Sequence, residues 1–255
     1  VGPGFLSLPT MAGKPRGSGR THVLDKGLTP DAVAGVLEVT GEHIDVWKFG
    51  WGVAYLDRGL DRKLRLLRAH RVTSCLGGTL LEIAWSQGRA NECLAWAERA
   101  GLDAVEVSRG VVEMALDDKR ELIKKAGHAF IVFAETGVKD PGAPLSAAQW
   151  QDEIADDLAA GATWIVTEGR ESGTVGIYDG EGSPRRDIID AAVSAAGVER
   201  VMFEAPRMAQ QAWLINQFGP AVNLANIAPD DVLPLATLRL GLRADTAALS
   251  VSRSP

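Results

Sequence analysis

Short apolar runs alternate with amphipathic stretches along nearly the whole chain. They predict strands over 21–24 (THVL), 44–47 (IDVW), 72–76, 104–107 (AVEV), 129–134, 164–166, 200–203 and 221–224. These runs are almost continuously apolar, which suits parallel strands buried on both faces. Helices are predicted between them. Thr29-Pro30-Asp31 opens one, with a Thr cap, Pro at the first position and an acid in the first turn. Leu64 and Leu67 share the apolar face of a second, over 61–70. One polar helix follows Gly77-Gly78-Thr79 and stops at Gly101, and others cover 116–126, 146–160, 187–196, 207–218 and 232–242. An open doubly wound sheet uses fewer strand-helix units than this. The expected fold class is therefore α/β, a single-domain (β/α)8 TIM barrel over 20–246, with an N-terminal extension (1–19) and a C-terminal tail (247–255). Residues 174–184 interrupt the rhythm as a Gly-rich excursion long enough for a lid.

Loops that follow the strands of such a barrel share one face, so their side chains meet however far apart they lie in sequence. The apolar run 164–166 ends abruptly in Glu168, Arg170, Glu171 and Ser172 between two glycines. Similar punctuation recurs at Asp25-Lys26, Lys48, Glu106, Glu135, Lys139, Glu204, Asn223 and Asn226. Any single member could be a solvated charge, and Glu106 or Glu204 could pair with a lysine inside the barrel. As a set they define an open end that the opposite strand ends do not match. Lys26, Lys48, Lys139 and Arg170, with the backbone N–H groups of Gly77 and Gly78, suit a phosphate- or carboxylate-type anion. Asp25, Glu135, Glu168 and Glu204 offer the hard oxygens that Mg²⁺ prefers, of which one or two usually suffice.

Composition narrows the field. With a formal charge of -6, the chain of 255 residues is not a nonspecific nucleic-acid binder. Two cysteines, Cys75 and Cys93, make neither a disulfide framework nor a zinc motif, so a cytoplasmic location is expected. Four scattered histidines form no metal motif, no run is long enough to span a membrane, and residues 1–19 do not read as a signal peptide. That segment is expected to wrap the body of the fold or to be partly disordered. No Ser-His-Asp or Cys-His set is visible, and the glycine spacings do not match a dinucleotide fingerprint. These patterns describe a barrel enzyme acting on a small anionic substrate with Mg²⁺.

Several motifs carry a resemblance. KPR at 14–16, VLDKGL at 23–28, KFGWG at 48–52, GGTL at 77–80, EGRESG at 168–173, FEAP at 203–206, NLANI at 223–227 and the LR-DT pattern at 242–246 resemble the phosphosulfolactate synthase family in the same order. The resemblance implies a Mg²⁺-dependent (β/α)8 lyase that adds sulfite to C3 of phosphoenolpyruvate to give (2R)-3-phosphosulfolactate, as in coenzyme M or sulfolactate synthesis. It further implies a homo-oligomer, with Lys139 as the acid that protonates C2. Arg170 and Glu171 join Lys139 as catalytic candidates; Lys26, Lys48, Gly77, Gly78, Arg109, Ser172, Asn223 and Asn226 are expected to bind substrate, with donors near Asn223 supplied by the following segment. Two positions depart from the family. Val138 replaces the first lysine of a Lys-Lys pair, and Ser108-Arg109-Gly110 stands where the family often has Ser-Asp-Gly. Arg109 is accordingly expected to take over part of the anion grip. The same departures leave room for a paralogue that adds another nucleophile to phosphoenolpyruvate. A noncatalytic barrel, like the plant heat-stress relatives of the family, and a Schiff-base aldolase using Lys48 or Lys139 are the other readings.

Overall fold

The computed structural model describes residues 4–137 and 145–251. Eight parallel strands close into a barrel in sequential order: β1 (Thr21–Asp25), β2 (Val46–Phe49), β3 (Thr73–Leu76), β4 (Ala104–Val107), β5 (Ile131–Thr136), β6 (Trp164–Thr167), β7 (Val201–Glu204) and β8 (Asn223–Ile227). Each strand pairs with its neighbour, and β8 returns to β1. The expected α/β barrel is therefore the observed one.

Outward residues such as Trp47, Phe49, Val105 and Phe203 pack against the surrounding helices in one large apolar cluster. Inward residues Val46, Cys75, Ala104, Phe133, Val166, Met202 and Ala225 form a second, smaller cluster inside the barrel. Strand alternation then dictates what comes next. Two residues beyond an inward apolar side chain lies another inward position, one layer nearer the strands' C-terminal end.

The helices are α1 (Pro30–Thr40), α2 (Val53–Leu56), α3 (Leu60–Ala69), α4 (Gly78–Ser86), α5 (Ala90–Ala100), α6 (Leu116–Ala126), α7 (Ala147–Ala159), α8 (Arg186–Ala196), α9 (Met208–Phe218) and α10 (Val232–Arg239). Thr29 caps α1 through its hydroxyl, which accepts from the Ala32 N–H, and Ser146 caps α7 with a full capping box. The long helix expected after Gly77 is two helices, broken at the left-handed Gly88. The short α2 has no counterpart in the sequence pattern.

At the strands' N-terminal end, the extension packs along the barrel. Lys14 donates to the carbonyls of Gly41 (2.6 Å) and His70 (3.2 Å), and Arg16 pairs with Asp45 at 3.0 Å. At the other end, the 174–184 excursion is not a free lid. Ile177 and Tyr178 are buried, the Ile177 N–H donates to the Glu168 carbonyl at 3.0 Å, and the Tyr178 hydroxyl donates to the Glu204 carbonyl at 2.6 Å. These two buried side chains pin it to β6 and β7. Gly176 lies at φ 63, where a Cβ would collide with the Glu168 carbonyl.

Candidate active site

The inward layer above the apolar plug is charged. Lys48 follows Val46 on β2, Glu106 follows Ala104 on β4, Glu135 follows Phe133 on β5, and Glu204 follows Met202 on β7. Glu168 follows Val166 one residue past β6. All five are buried at the floor of a cavity of about 230 Å³ at the strands' C-terminal end. Trp51, Gly77, Gly78, Thr79, Val111, Arg170, Glu171 and Asn226 are among the residues that complete its lining.

Lys48 is the floor's cation. Its ammonium lies 2.9 Å from Glu106 Oε2 and 3.5 Å from Glu204 Oε1. Burial alone would push its pKa down; the carboxylates of Glu106, Glu204 and Glu135 outweigh that and push it above the usual lysine value. Burial raises the Glu106 pKa, although Lys48 opposes the change. The Glu204 carboxyl is pushed up to about 7, first by burial and then by repulsion from Glu135 and Glu106, against the pull of Lys48. Its Oε2 accepts from the Gly169 N–H at 2.8 Å, and its Oε1 accepts from Asn226 Nδ2.

Arg170 is the second cation at the cavity. It is exposed, has no ion-pair partner among the described residues, and sits at φ 56 with its N–H donating to Glu168 Oε1 at 2.7 Å. Gly77 is the N-cap of α4, so the helix N-terminus abuts the cavity. A Cβ at Gly77 would lie 2.7 Å from the Phe49 carbonyl, so only glycine allows β2 and β3 to approach this closely. The Gly78 N–H donates to Glu106 Oε1 at 3.1 Å, which occupies it with a protein carboxylate rather than leaving it for an anion.

Five of the residues singled out in the sequence lie elsewhere or are already engaged. Asp25 is buried and does not line the cavity. One carboxylate oxygen accepts from the N–H groups of Gly27 (2.7 Å) and Leu28 (2.8 Å), the other from Trp47 Nε1 and Lys63 Nζ, both at 3.1 Å. Four donors saturate it, so it organises the β1 exit instead of offering a metal ligand. Arg109 turns away to form a two-pronged pair with Glu153, at 3.1 and 2.6 Å. Glu153 and Asp157 also take the fully buried Lys119, whose ammonium donates to the Glu135 carbonyl at 2.8 Å. Arg109 thus belongs to an ion network between α6 and α7, not to the anion grip.

Asn223 opens β8 at the barrel's N-terminal end, where its amide accepts from the Arg20 N–H and donates to the Glu199 and Val201 carbonyls. Ser172 is exposed beside Thr174, at 2.7 Å between their hydroxyls, and does not line the cavity. Lys26 is exposed at its edge, with its ammonium 6.0 Å from the Trp51 ring centre. Val138 and Lys139 lie outside the described residues. The N-terminal end is not poor in charge either, since Arg16, Asp45 and Arg239 gather there. Those groups are spent on each other or on backbone carbonyls, including Val222 O at 2.7 Å from Arg239. Glu106, left out of the candidate binding set, is a floor residue, and the alternative reading of it as a barrel-interior partner of a lysine is the observed one, with Lys48 at 2.9 Å.

No ready-made metal group of three or more His, Cys, Asp or Glu side chains exists among the described residues. Likewise, no helix among them is long and apolar enough to cross a membrane.

Comparison with solved structures finds the same architecture at low sequence identity. The YdjI aldolase from Escherichia coli K12 superimposes with a TM-score of 0.57 at 15% identity, over 84% of this chain and 76% of that one. The 3-hexulose-6-phosphate synthase from Salmonella typhimurium gives 0.56 at 13%, over 91% and 94%. These likenesses concern the fold alone. Sequence relatives are far nearer. A phosphosulfolactate synthase of Methanocaldococcus jannaschii is 42% identical over 234 residues, covering 89% of this chain and 93% of that protein. One of Bacillus subtilis is 38% identical over 248 residues, covering 94% and 97%. The family model for (2R)-phospho-3-sulfolactate synthase matches residues 9–245. With a charged cavity at the strand ends and this likeness along nearly its whole length, the chain belongs to the (2R)-phospho-3-sulfolactate synthase family of enzymes.

Proposed function

We propose that this protein joins sulfite to phosphoenolpyruvate, forming (2R)-3-phosphosulfolactate, with Mg²⁺ as cofactor. The observation that carries the reading is the cavity itself: Lys48 and Arg170 stand among carboxylates at the strand ends of a family member. Five glutamates, at 106, 135, 168, 171 and 204, line the cavity against those two cations among the described residues. Such a surplus of hard oxygen repels trianionic phosphoenolpyruvate unless a cation offsets it, so the donor chemistry fits Mg²⁺. Glu135 and Glu168 would hold it, with water and substrate completing a shell that Mg²⁺ rarely takes wholly from protein. When bound it supplies positive charge facing the substrate carboxylate.

The chain's own residues then do the rest. Arg170, exposed and without an ion-pair partner among the described residues, grips phosphate or carboxylate with its planar fork. Lys48, locked by Glu106, keeps a fixed positive charge at the floor. The sulfur lone pair of sulfite forms the bond to C3, and the C2–C3 π pair moves toward the substrate carboxylate. That pair returns to C2 as it takes a proton from one face, which sets the configuration. By family resemblance Lys139 donates this proton and regains one from solvent. The buried Ile177 and Tyr178 anchor the roof above β6 and β7 and limit the entry of bulk water.

The test is to incubate the protein with phosphoenolpyruvate and sulfite, first with Mg²⁺ and then with EDTA, and to follow phosphorus NMR. A phosphosulfolactate resonance that needs Mg²⁺ is expected. Binding of phosphoenolpyruvate without product would favour another nucleophile, and binding of neither reactant would favour a noncatalytic barrel. The other-nucleophile reading leaned on Val138 and Arg109. Arg109 no longer supports it, because that side chain is committed to Glu153.

A further inference from the structure

We infer that the side-chain oxygen of Asn226 is an oxygen donor toward the divalent cation of the pocket, an assignment that rests on the Mg²⁺-dependent reading above. It starts from a local irregularity. The β1–β8 pairing slips between Thr21, opposite Leu224, and Val23, opposite Ile227, so β8 carries one residue more than β1 in this interval. Within it Asn226 adopts φ 55, a left-handed conformation that asparagine tolerates better than most residues but that glycine meets at no cost. Bulges of this kind re-aim a side chain. Here the consequence is that Asn226 lines the cavity although only 8% of it is exposed.

The orientation of the amide follows from its partner. Asn226 Nδ2 donates to Glu204 Oε1, an oxygen that also lies 3.5 Å from the Lys48 ammonium while Oε2 accepts from the Gly169 N–H, so both Glu204 oxygens face donors and the amide nitrogen is the atom turned toward Glu204. The oxygen is left on the other side. It is buried and receives no hydrogen bond from any described residue. Lys48, the nearby cation, is instead engaged by Glu106 and Glu204. A strained backbone, an amide fixed in one orientation and an unmatched buried oxygen thus converge on one atom.

That atom needs a donor or a cation. Fully ionised phosphoenolpyruvate and sulfite carry only acceptors, so neither substrate satisfies it, and an anion-gripping role for Asn226 is chemically mismatched. A neutral carboxamide oxygen is a normal ligand for a hard divalent cation. It also adds a ligand without adding charge to a pocket already crowded with carboxylates. Glu135 and Glu168, on the same cavity, supply the anionic part of the set.

Mn²⁺ binding, read by the loss of the free-ion electron paramagnetic resonance signal without any substrate, tests this. Asn226→Gly removes the oxygen and suits the left-handed backbone; a thermal melt reports that the variant is folded. Its Mn²⁺ affinity is expected to fall by about tenfold or more, while Asn226→Asp, which keeps an oxygen there, is expected to retain binding. Asn226→Gly that binds Mn²⁺ as tightly as the parent would overturn the assignment, and so would a parent protein that binds no Mn²⁺. Parallel product assays on the parent separate the two levels. Phosphosulfolactate formed equally well in EDTA removes the metal role but not the reaction. Asn226-dependent Mn²⁺ binding without phosphosulfolactate keeps the site and removes the reaction.

Discussion

Replacing Lys48 with methionine probes the charged floor most directly. The substitution keeps the apolar stem and deletes a buried ammonium that lies 2.9 Å from Glu106 and 3.5 Å from Glu204. Breaking one side of a buried pair typically costs about 3–5 kcal/mol, because the stranded charges stay desolvated. For a chain of this size that is a fall in melting temperature of about 10 °C. The cost depends on pH, with a definite sign. In the parent, the folded Glu204 pKa is already raised to about 7 from 4.5, so stability falls as pH rises between those values and levels off above. Lys48 is the group that holds both Glu204 and Glu106 down against burial. Without it their folded pKa values climb further, and each added unit costs about 1.4 kcal/mol once the pH exceeds the new value. Lys48→Met is therefore expected to show a smaller deficit at pH 6, below the folded Glu204 value of about 7, than at pH 8. Urea unfolding of both proteins at the two pH values measures this. An equal deficit at both pH values, or none at pH 8, would show that the floor is not a coupled charge cluster.

Three further substitutions separate site from scaffold. Asp25→Asn places an amide among four donors, with Lys63 left to Asp57 at 2.7 Å; it is expected to cost about 2–4 kcal/mol in thermal unfolding and to leave Mn²⁺ affinity unchanged. Gly176→Ala forces a side chain into the Glu168 carbonyl at φ 63, and amide exchange at Ile177 is expected to accelerate as turnover falls. Unchanged protection at Ile177 would mean the excursion is not pinned there. Arg109→Ala is expected to leave KM for sulfite and phosphoenolpyruvate within about twofold of the parent while lowering stability by about 1–3 kcal/mol through the loss of its partnership with Glu153. A large rise in either KM would return Arg109 to the anion grip.

Eight strands, their order and their closure were legible because parallel barrel strands are apolar on both faces and signals such as the Thr29 and Ser146 caps and the left-handed Gly101 punctuate the helices between them. What the apolar pattern misplaced was where three strands stop. The runs 44–47, 129–134 and 221–224 lie about two residues early; the observed strands are Val46–Phe49, Ile131–Thr136 and Asn223–Ile227. Ending the strands just before Lys48 and Glu135 makes this error because the barrel turns those charges inward at its mouth, and ending at Leu224 makes it before the inward-turned Asn226. The same shift sends Asn223 to the wrong end. It opens β8, so it lies a barrel's height away from Asn226 although the two sit three residues apart in one motif.

A finer signal was present. Val46 and Lys48, Ala104 and Glu106, Phe133 and Glu135, Val166 and Glu168, and Met202 and Glu204 repeat one spacing, an inward apolar residue followed two positions later by a charge. Period two along each strand turns all five charges inward at the barrel's C-terminal end, which also names Glu106. Asp25 breaks this rule. It follows Val23, an outward residue of the helix-facing cluster, and so it points at Trp47 and Lys63 between barrel and helices. Parity, more than position at a strand's end, separates the floor residues from this scaffold carboxylate. Arg109, Asn226 and the 174–184 excursion have no such periodic signature. Their placement depends on Glu153 from another helix, on a bulge between β1 and β8, and on where Ile177 and Tyr178 find a buried seat, none of which local sequence encodes.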